Sequence, residues 1–114
     1  MARKYNAVPT TVNGRKFASK LEANRYQELL LLITAGKIED LVLQPKFLLI
    51  PAFKDATGKT QRAIYYIADF RYYDNEEWQY IVEECKGYDG NRVWQLKHKM
   101  FLYYHPQVEL RIIK

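Results

Sequence analysis

The spacing of hydrophobic positions changes several times along the chain, and each change predicts a new element. The first regular stretch begins near Ser19, where apolar side chains recur with helical spacing at Tyr26, Leu29, Leu30 and Ile33. Ser19 and Glu22 have the S-x-x-E spacing of a capping box, and Gly36 is a typical residue to end a helix. The pattern predicts a first helix from about residue 19 to 35.

Extended segments follow this helix. Residues 41–53 are rich in aliphatic side chains and contain two prolines, which is typical of an edge or bulged strand. Residues 61–73 and 78–86 are rich in β-branched and aromatic side chains, and the polar residues 74–77 between them predict a hairpin turn.

A second helix is predicted over residues 92–104, followed by a short last strand over 108–113. On this helix a shared apolar face is predicted for Val93, Leu96, Met100 and Tyr104. The predicted order is α-β-β-β-α-β, an α/β fold with a mixed sheet flanked by helices. Residues 1–16 are basic and polar, with a turn signal at Asn13 and Gly14, and they are predicted to form a flexible N-terminal arm.

Composition limits the class of protein. The chain has 114 residues, of which 48% are hydrophobic, so it is expected to form one domain over residues 1–114. The net charge of +5 and the pI near 9.3 favour a polyanionic partner such as nucleic acid, although the same charge could serve solubility alone. The ten tyrosines and two tryptophans could stack on bases, but a small core also needs them.

Location follows from what the sequence lacks. One cysteine allows no intrachain disulfide, which agrees with a reducing compartment. The longest aliphatic run, residues 29–33, is far shorter than the roughly 20 residues of a membrane span. The first residues show no apolar signal-peptide segment, so a cytoplasmic location without membrane contact is expected.

One group of polar residues stands out within the predicted strands. Asp69 is a lone acid in the apolar run 64–70, and burying such an acid is costly unless it is paired or binds a metal. In the next strand, the pleat places Val82, Glu84 and Lys86 on one face and Ile81, Glu83 and Cys85 on the other. A turn centred near residue 76 puts Asp69 opposite about residue 83, within one or two residues of Glu84.

Two interpretations of these acids remain open. Carboxylates near a lysine suit Mg²⁺, and the backbone carbonyl of Cys85 lies between the two side chains as a further ligand. The alternative is that Asp69 and Glu84 form structural ion pairs with Arg71 or Lys86.

Other candidate residues have competing readings too. Glu22 heads the apolar stripe of the first helix, so it either faces the sheet or serves only the helix cap. Glu83 is interpreted as a solvent-facing or supporting residue, and Cys85 as a small core side chain. His98 and His105 lack metal-ligand spacing and are assigned to the surface or to a helix end.

Taken together, the element order, Asp69 and the E-x-K motif of Glu84 and Lys86 resemble the PD-(D/E)XK nuclease superfamily, with its restriction-endonuclease-like fold. Residues 17–51, 66–73 and 82–87 resemble a group of phage and prophage endonuclease-like proteins, and the resemblance covers about residues 5–112. One departure is Ala68, which stands where the family motif has proline.

The resemblance implies Mg²⁺-dependent hydrolysis of DNA phosphodiesters, with Mn²⁺ as an alternative ion. Asp69 and Glu84 would be metal ligands and Lys86 the catalytic lysine. Glu22 would be the accessory acid of the first helix, acting in catalysis and at the metal together with the Cys85 carbonyl. Gln44 would be a polar residue brought towards the active site.

Several basic residues are candidates for DNA contact. Arg92, Lys97 and Lys99 follow the E-x-K strand, and Lys46 lies beside Gln44. The glycine-rich loop 87–92 either reaches a DNA groove or merely connects a strand to a helix. The expected protein is a homodimeric endonuclease in the host cytoplasm, cutting branched DNA such as Holliday junctions in phage recombination or packaging. The alternative is a non-catalytic DNA-binding module that reuses the fold.

Overall fold

The computed structural model describes residues 8–86 and 91–114, and within them the protein is mixed α/β, with many strands and two helices. The helices are α1 (Lys20–Thr34) and α2 (Arg92–Tyr104). The strands are β1 (Thr10–Val12), β2 (Arg15–Phe17), β3 (Ile38–Leu43), β4 (Lys46–Ile50), β5 (Phe53–Lys54), β6 (Thr60–Gln61), β7 (Ile64–Ile67), β8 (Phe70–Asp74), β9 (Gln79–Cys85) and β10 (Glu109–Ile113).

Helix α1 begins where the capping pattern predicts. Ser19 has an extended backbone, and its Oγ accepts a hydrogen bond from the Glu22 backbone N–H at 3.1 Å. The buried face of the helix consists of Glu22, Ala23, Tyr26 and Leu29. Ile33, expected on the same face, is 38% exposed because it lies at the end of the helix, beyond the packed turns.

The central sheet has the strand order β10-β9-β8-β3. Strand β8 is antiparallel to both of its neighbours, whereas β10 is parallel to β9 and follows α2 in the chain. Phe70 pairs with Glu83, so the next position brings Asp69 alongside Glu84, one residue from the expected partner. The mixed sheet flanked by two helices is therefore confirmed.

Two extended segments, residues 38–50 and 64–74, bend where they lie side by side, and the bend divides each of them into two strands. Gln44, with φ 51°, lies at the bend between β3 and β4, and its N–H donates to the Asp69 carbonyl at 2.9 Å. On the facing segment, the Ala68 N–H donates to the Pro45 carbonyl at 3.1 Å. Beyond the bend the chain continues as the β4–β7 and β5–β6 ladders. The simple order α-β-β-β-α-β thus omits these divisions and the hairpin that precedes α1.

Two hydrophobic cores lie on opposite faces of the sheet, because neighbouring β9 residues point in opposite directions. The core on the α1 side contains Leu29, Ile81 and Cys85, and the core on the α2 side contains Val82 and Phe101. The face predicted for α2 is right at Met100, which packs inward together with Trp94 and Phe101. It is wrong at Val93, Leu96 and Tyr104, which are 62%, 61% and 51% exposed.

The segment expected to form a flexible arm contains a hairpin. Strands β1 and β2 pair around Asn13 and Gly14, whose φ angles of 50° and 80° suit the two-residue turn that matches strand twist. Phe17 is buried, and its ring centroid lies 5.0 Å from that of Tyr26. Packing on α1 therefore fixes the hairpin, while residues 1–7 lie outside the described part of the chain. Neither described helix is both long and apolar enough to span a membrane.

Candidate active site

Asp69 lies at the bend, between the end of β7 and the start of β8. Its Oδ2 accepts a hydrogen bond from the Cys85 backbone N–H at 2.7 Å, and its own N–H donates to the Glu83 carbonyl at 3.1 Å. The half-buried carboxylate is thus held against the end of β9. The contact observed at Cys85 involves its N–H, and ligation by its carbonyl stays a prediction.

Glu84 and Lys86 lie on the α2 side of the sheet, at the same end as Asp69. Both side chains are buried, at 4% and 5% exposure. The Tyr66 hydroxyl donates to Glu84 Oε1 at 2.6 Å, and Lys86 Nζ lies 5.0 Å from the centre of the Trp94 ring. Tyr66 and the pleat together fix the direction of the Glu84 carboxylate.

Glu83 has a different environment on the α1 side. It is fully buried, and Arg25 contacts both of its oxygens, from Nε at 2.8 Å and from Nη2 at 2.6 Å. The Tyr72 hydroxyl adds a hydrogen bond of 2.6 Å to Oε2. The solvent-facing reading of Glu83 is therefore wrong. The hydrogen bond to this carboxylate is the largest of the effects on the Arg25 guanidinium, and it raises the pKa of that group.

Glu22 is both near the helix cap and directed inward. Its backbone N–H donates a hydrogen bond to Ser19 Oγ, and the residue is 3% exposed. A cavity of about 230 Å³ is lined by Glu22, Gln44 and Asp69 together with Arg15 and Lys16. The interpretation in which Glu22 faces the sheet is supported, because its side chain is buried and the residue lines this cavity.

A second cavity, of about 310 Å³, lies on the α2 side. Its lining includes Glu84, Lys86 and Lys97, with Tyr65 and Trp94. Asp69 and Glu84 thus open towards two different cavities, although the Asp69 carboxylate contacts the residue that follows Glu84.

The electrostatics also link these acids. The pKa of the Cys85 thiol is raised chiefly by burial and further by the charges of Asp69, Glu22, Glu83 and Glu84. Burial likewise raises the pKa of Tyr66, with Glu84 and Asp69 adding to it. Cys85, which is buried in the α1-side core, is confirmed as a core side chain and is surrounded by carboxylates.

The described acidic residues do not form a preformed metal site. Within residues 8–86 and 91–114, no three His, Cys, Asp or Glu side chains are arranged to hold a metal ion. Arg71, one of the suggested ion-pair partners, has its guanidinium carbon 5.7 Å from the centre of the Tyr80 ring, and its buried Nε lacks a hydrogen-bond partner.

The predicted DNA-contacting residues are spread over both sides of the site. Lys97 and Gln44 line one cavity each, whereas Arg92 and Lys99 are exposed on α2. Lys46 Nζ lies 4.1 Å from the centre of the Tyr65 ring. Residues 87–90 of the glycine-rich loop lie outside the described residues.

His105 lies at a helix end, as suggested, whereas His98 is half-buried in the middle of α2. His105 is the C-cap of α2 and stacks on Phe101 at 4.7 Å between ring centroids. His98 stacks on Trp94 at 4.8 Å, and burial lowers the pKa of its imidazole. These contacts indicate packing at the helix and its end.

Sequence reasoning missed several residues that surround the acids: Arg15, Lys16, Arg25, Tyr66 and Tyr72. Arg25 had one usable signal, because it lies three residues after Glu22 and hence on the same helix face. The tyrosines had none, since their spacing in the strands resembles that of core aromatics. Arg15 and Lys16 belong to the segment predicted to be flexible.

The site belongs to a mixed α/β domain with several buried acids at the end of one strand. A family model described as "Protein of unknown function (DUF1064)" matches residues 2–114, so the chain belongs to that family. No curated protein and no solved structure matches the chain significantly.

Proposed function

We propose that the protein is a Mg²⁺-dependent DNA endonuclease with a restriction-endonuclease-like fold. The observation that carries this proposal is the hydrogen bond of 2.7 Å between Asp69 Oδ2 and the Cys85 N–H. It joins the lone acid of one strand to the E-x-K motif of the next. Glu84 and Lys86, the buried chain neighbours of Cys85, lie beside that contact, and buried Glu22 lines the same cavity as Asp69. A cluster of buried charges of this kind is more typical of a functional site than of a core.

The proposed reaction is hydrolysis of a phosphodiester bond. Water adds to the phosphorus, the bond to the 3′ oxygen breaks, and the products carry a 5′-phosphate and a 3′-hydroxyl. Lys86 would orient the attacking water and stabilise the charge of the transition state. Tyr66 would hold Glu84 in place through its hydrogen bond of 2.6 Å.

The donor set fits a hard cation in its chemistry. Asp69, Glu84 and Glu22 supply carboxylate oxygens, the ligand type that Mg²⁺ prefers, and the Cys85 carbonyl is a further oxygen donor. When bound, the ion would neutralise phosphate charge and lower the pKa of a bound water.

The test is a cleavage assay on plasmid, single-stranded and four-way-junction DNA with Mg²⁺, Mn²⁺ or EDTA. Glu84→Gln and Lys86→Met should each lower the rate at least about 100-fold, since each removes a charge that acts on the transition state. The matched control is Glu39→Gln, an exposed acid in β3, which should cut normally. Absence of metal-dependent cutting of every substrate by the folded wild-type protein would refute the proposal.

A second candidate function is a non-catalytic DNA-binding module. The exposed cations Arg15, Lys16, Arg92 and Lys99 favour it, because phosphate contacts bind DNA whether or not a cut follows. The two functions differ in calorimetry with Mn²⁺: an enzyme should bind the ion and lose that binding in Asp69→Asn, whereas a binding module need not bind it.

A homodimer is proposed because one small domain makes a single cut, and branched or double-stranded DNA requires two. Exposed apolar side chains on α2, such as Leu96 at 61% exposure, are consistent with a partner surface. In sedimentation velocity, Leu96→Glu should shift the protein towards monomer, and Leu31→Glu on α1, where Leu31 is 71% exposed, should not. The phage recombination or packaging setting and the host cytoplasm remain part of the proposal.

A further inference from the structure

The β1–β2 hairpin is fixed beside the acidic site. Phe17, at its end, is 7% exposed and packs on Tyr26 of α1. Three residues of β2 are paired with β1, and the turn at Asn13 and Gly14 has the backbone geometry that such a hairpin favours. The hairpin therefore presents its side chains from a defined position.

Two cations of this hairpin share a cavity with two acids. Arg15 and Lys16 line the same space of about 230 Å³ as Glu22, Asp69 and Gln44. Both cations are exposed, whereas Glu22 is buried. Because the two cations are exposed and Glu22 is buried, the cations can meet the charge of an anionic ligand that approaches the cavity from solvent.

We propose that Arg15 and Lys16 form a phosphate-binding subsite for the DNA strand that enters the acidic site. The guanidinium of Arg15 can take two phosphate oxygens, and Lys16, which lines the same cavity, adds a point charge. This subsite rests on the proposed DNA function and extends it to the hairpin. The subsite lies on the α1 side of the sheet, whereas Lys97 lines the cavity on the α2 side. A DNA strand would therefore be contacted on both sides of the end of β9.

The test measures binding of the full-length protein to a fluorescent DNA duplex by anisotropy, over a range of salt concentrations in EDTA. Each phosphate contact contributes about 0.9 to the slope of log affinity against log salt concentration. Arg15→Gln and Lys16→Gln should therefore each reduce the slope by about 0.9, and the double variant by about 1.8. Circular dichroism should show an unchanged fold, since both side chains are exposed.

The matched control is Lys37→Gln, which removes an exposed lysine. Lys37 precedes β3, whereas Gln44 of the proposed subsite follows it. It should leave the slope unchanged. An unchanged slope in the double variant, an equal fall in the Lys37 variant, or no DNA binding by wild type would overturn the subsite.

The subsite and the nuclease proposal can fail separately. If the wild-type protein binds DNA but never cuts it, and the hairpin variants have a smaller salt slope, the subsite stands and the nuclease proposal fails. If it cuts with metal but the hairpin variants keep the wild-type slope, the nuclease stands and the subsite fails.

Discussion

At the scale of the residue, adjacent Glu83 and Glu84 occupy opposite environments. Glu83 is held by Arg25 and Tyr72 on the α1 side, and Glu84 by Tyr66 on the α2 side. A strand that is buried on both faces can carry two acids only if each has its own partners, because an unpaired buried charge is costly. Glu83 thus fastens α1, and with it Glu22, to the strand that carries Glu84.

This role of Glu83 leads to a stability prediction. Glu83→Gln removes the charge that pairs with Arg25, whose side chain is only 18% exposed, and should cost about 3 kcal/mol in the free energy of unfolding. Urea denaturation measures this cost. Glu28→Gln is the control, because Glu28 lies 3.5 Å from the same Arg25 but is 63% exposed, and its loss should cost less than about 0.5 kcal/mol. Equal costs would contradict a fastening role for Glu83.

At the scale of the element, the bend between β3 and β4 decides where the acids meet. Hydrogen bonds from Gln44 and Ala68 hold the two facing segments together across the bend. Asp69 consequently leaves the regular ladder and turns its carboxylate to the Cys85 N–H. A straight strand would have given Asp69 the ordinary alternation of the sheet instead.

The start of α1 gives an element-scale prediction. Ser19→Ala removes the hydrogen bond from the Glu22 N–H to Ser19 Oγ and should lower the free energy of unfolding by about 1 kcal/mol. Chemical denaturation monitored by circular dichroism measures it. The comparison variant Ser19→Asp restores a capping oxygen and should recover most of the lost stability. If Ser19→Asp were as unstable as Ser19→Ala, the cap would not be the cause of the loss.

At the scale of the whole molecule, the buried titratable groups predict alkaline sensitivity. Burial is the main cause that raises the pKa values of Cys85, Tyr66 and Tyr72 above their ordinary 9.0 and 10.0. The unfolded chain therefore releases these protons first as the pH rises. Their contribution to stability is complete below pH 9.0 and is lost progressively above it.

Urea midpoints at pH 7, 9 and 10.5 measure this loss. The midpoint should fall above pH 9, and Tyr72→Phe should weaken the fall because it removes one of the titrating groups. Tyr80→Phe, in which the replaced side chain is 44% exposed, should leave the fall unchanged. A midpoint independent of pH up to 10.5 would contradict the prediction.

The sequence alone determined the elements whose signals are local. The cap at Ser19, the span of α2 and the alternation of β9 each depend on residues a few positions apart, and each was predicted correctly. The opposed faces of Glu83 and Glu84 followed from the pleat, and the approach of Asp69 to Glu84 followed from the turn length to within one residue.

Only the tertiary structure decided the contacts between distant segments. Arg25 and Glu83 are 58 positions apart, and Tyr66 and Glu84 are 18 apart, so no periodicity links them. The inward face of α2 depended on which apolar residues met the sheet, since nearly every turn of that helix offers some. Likewise, the β1–β2 hairpin became ordered because Phe17 packs on Tyr26, a contact that local polarity does not reveal.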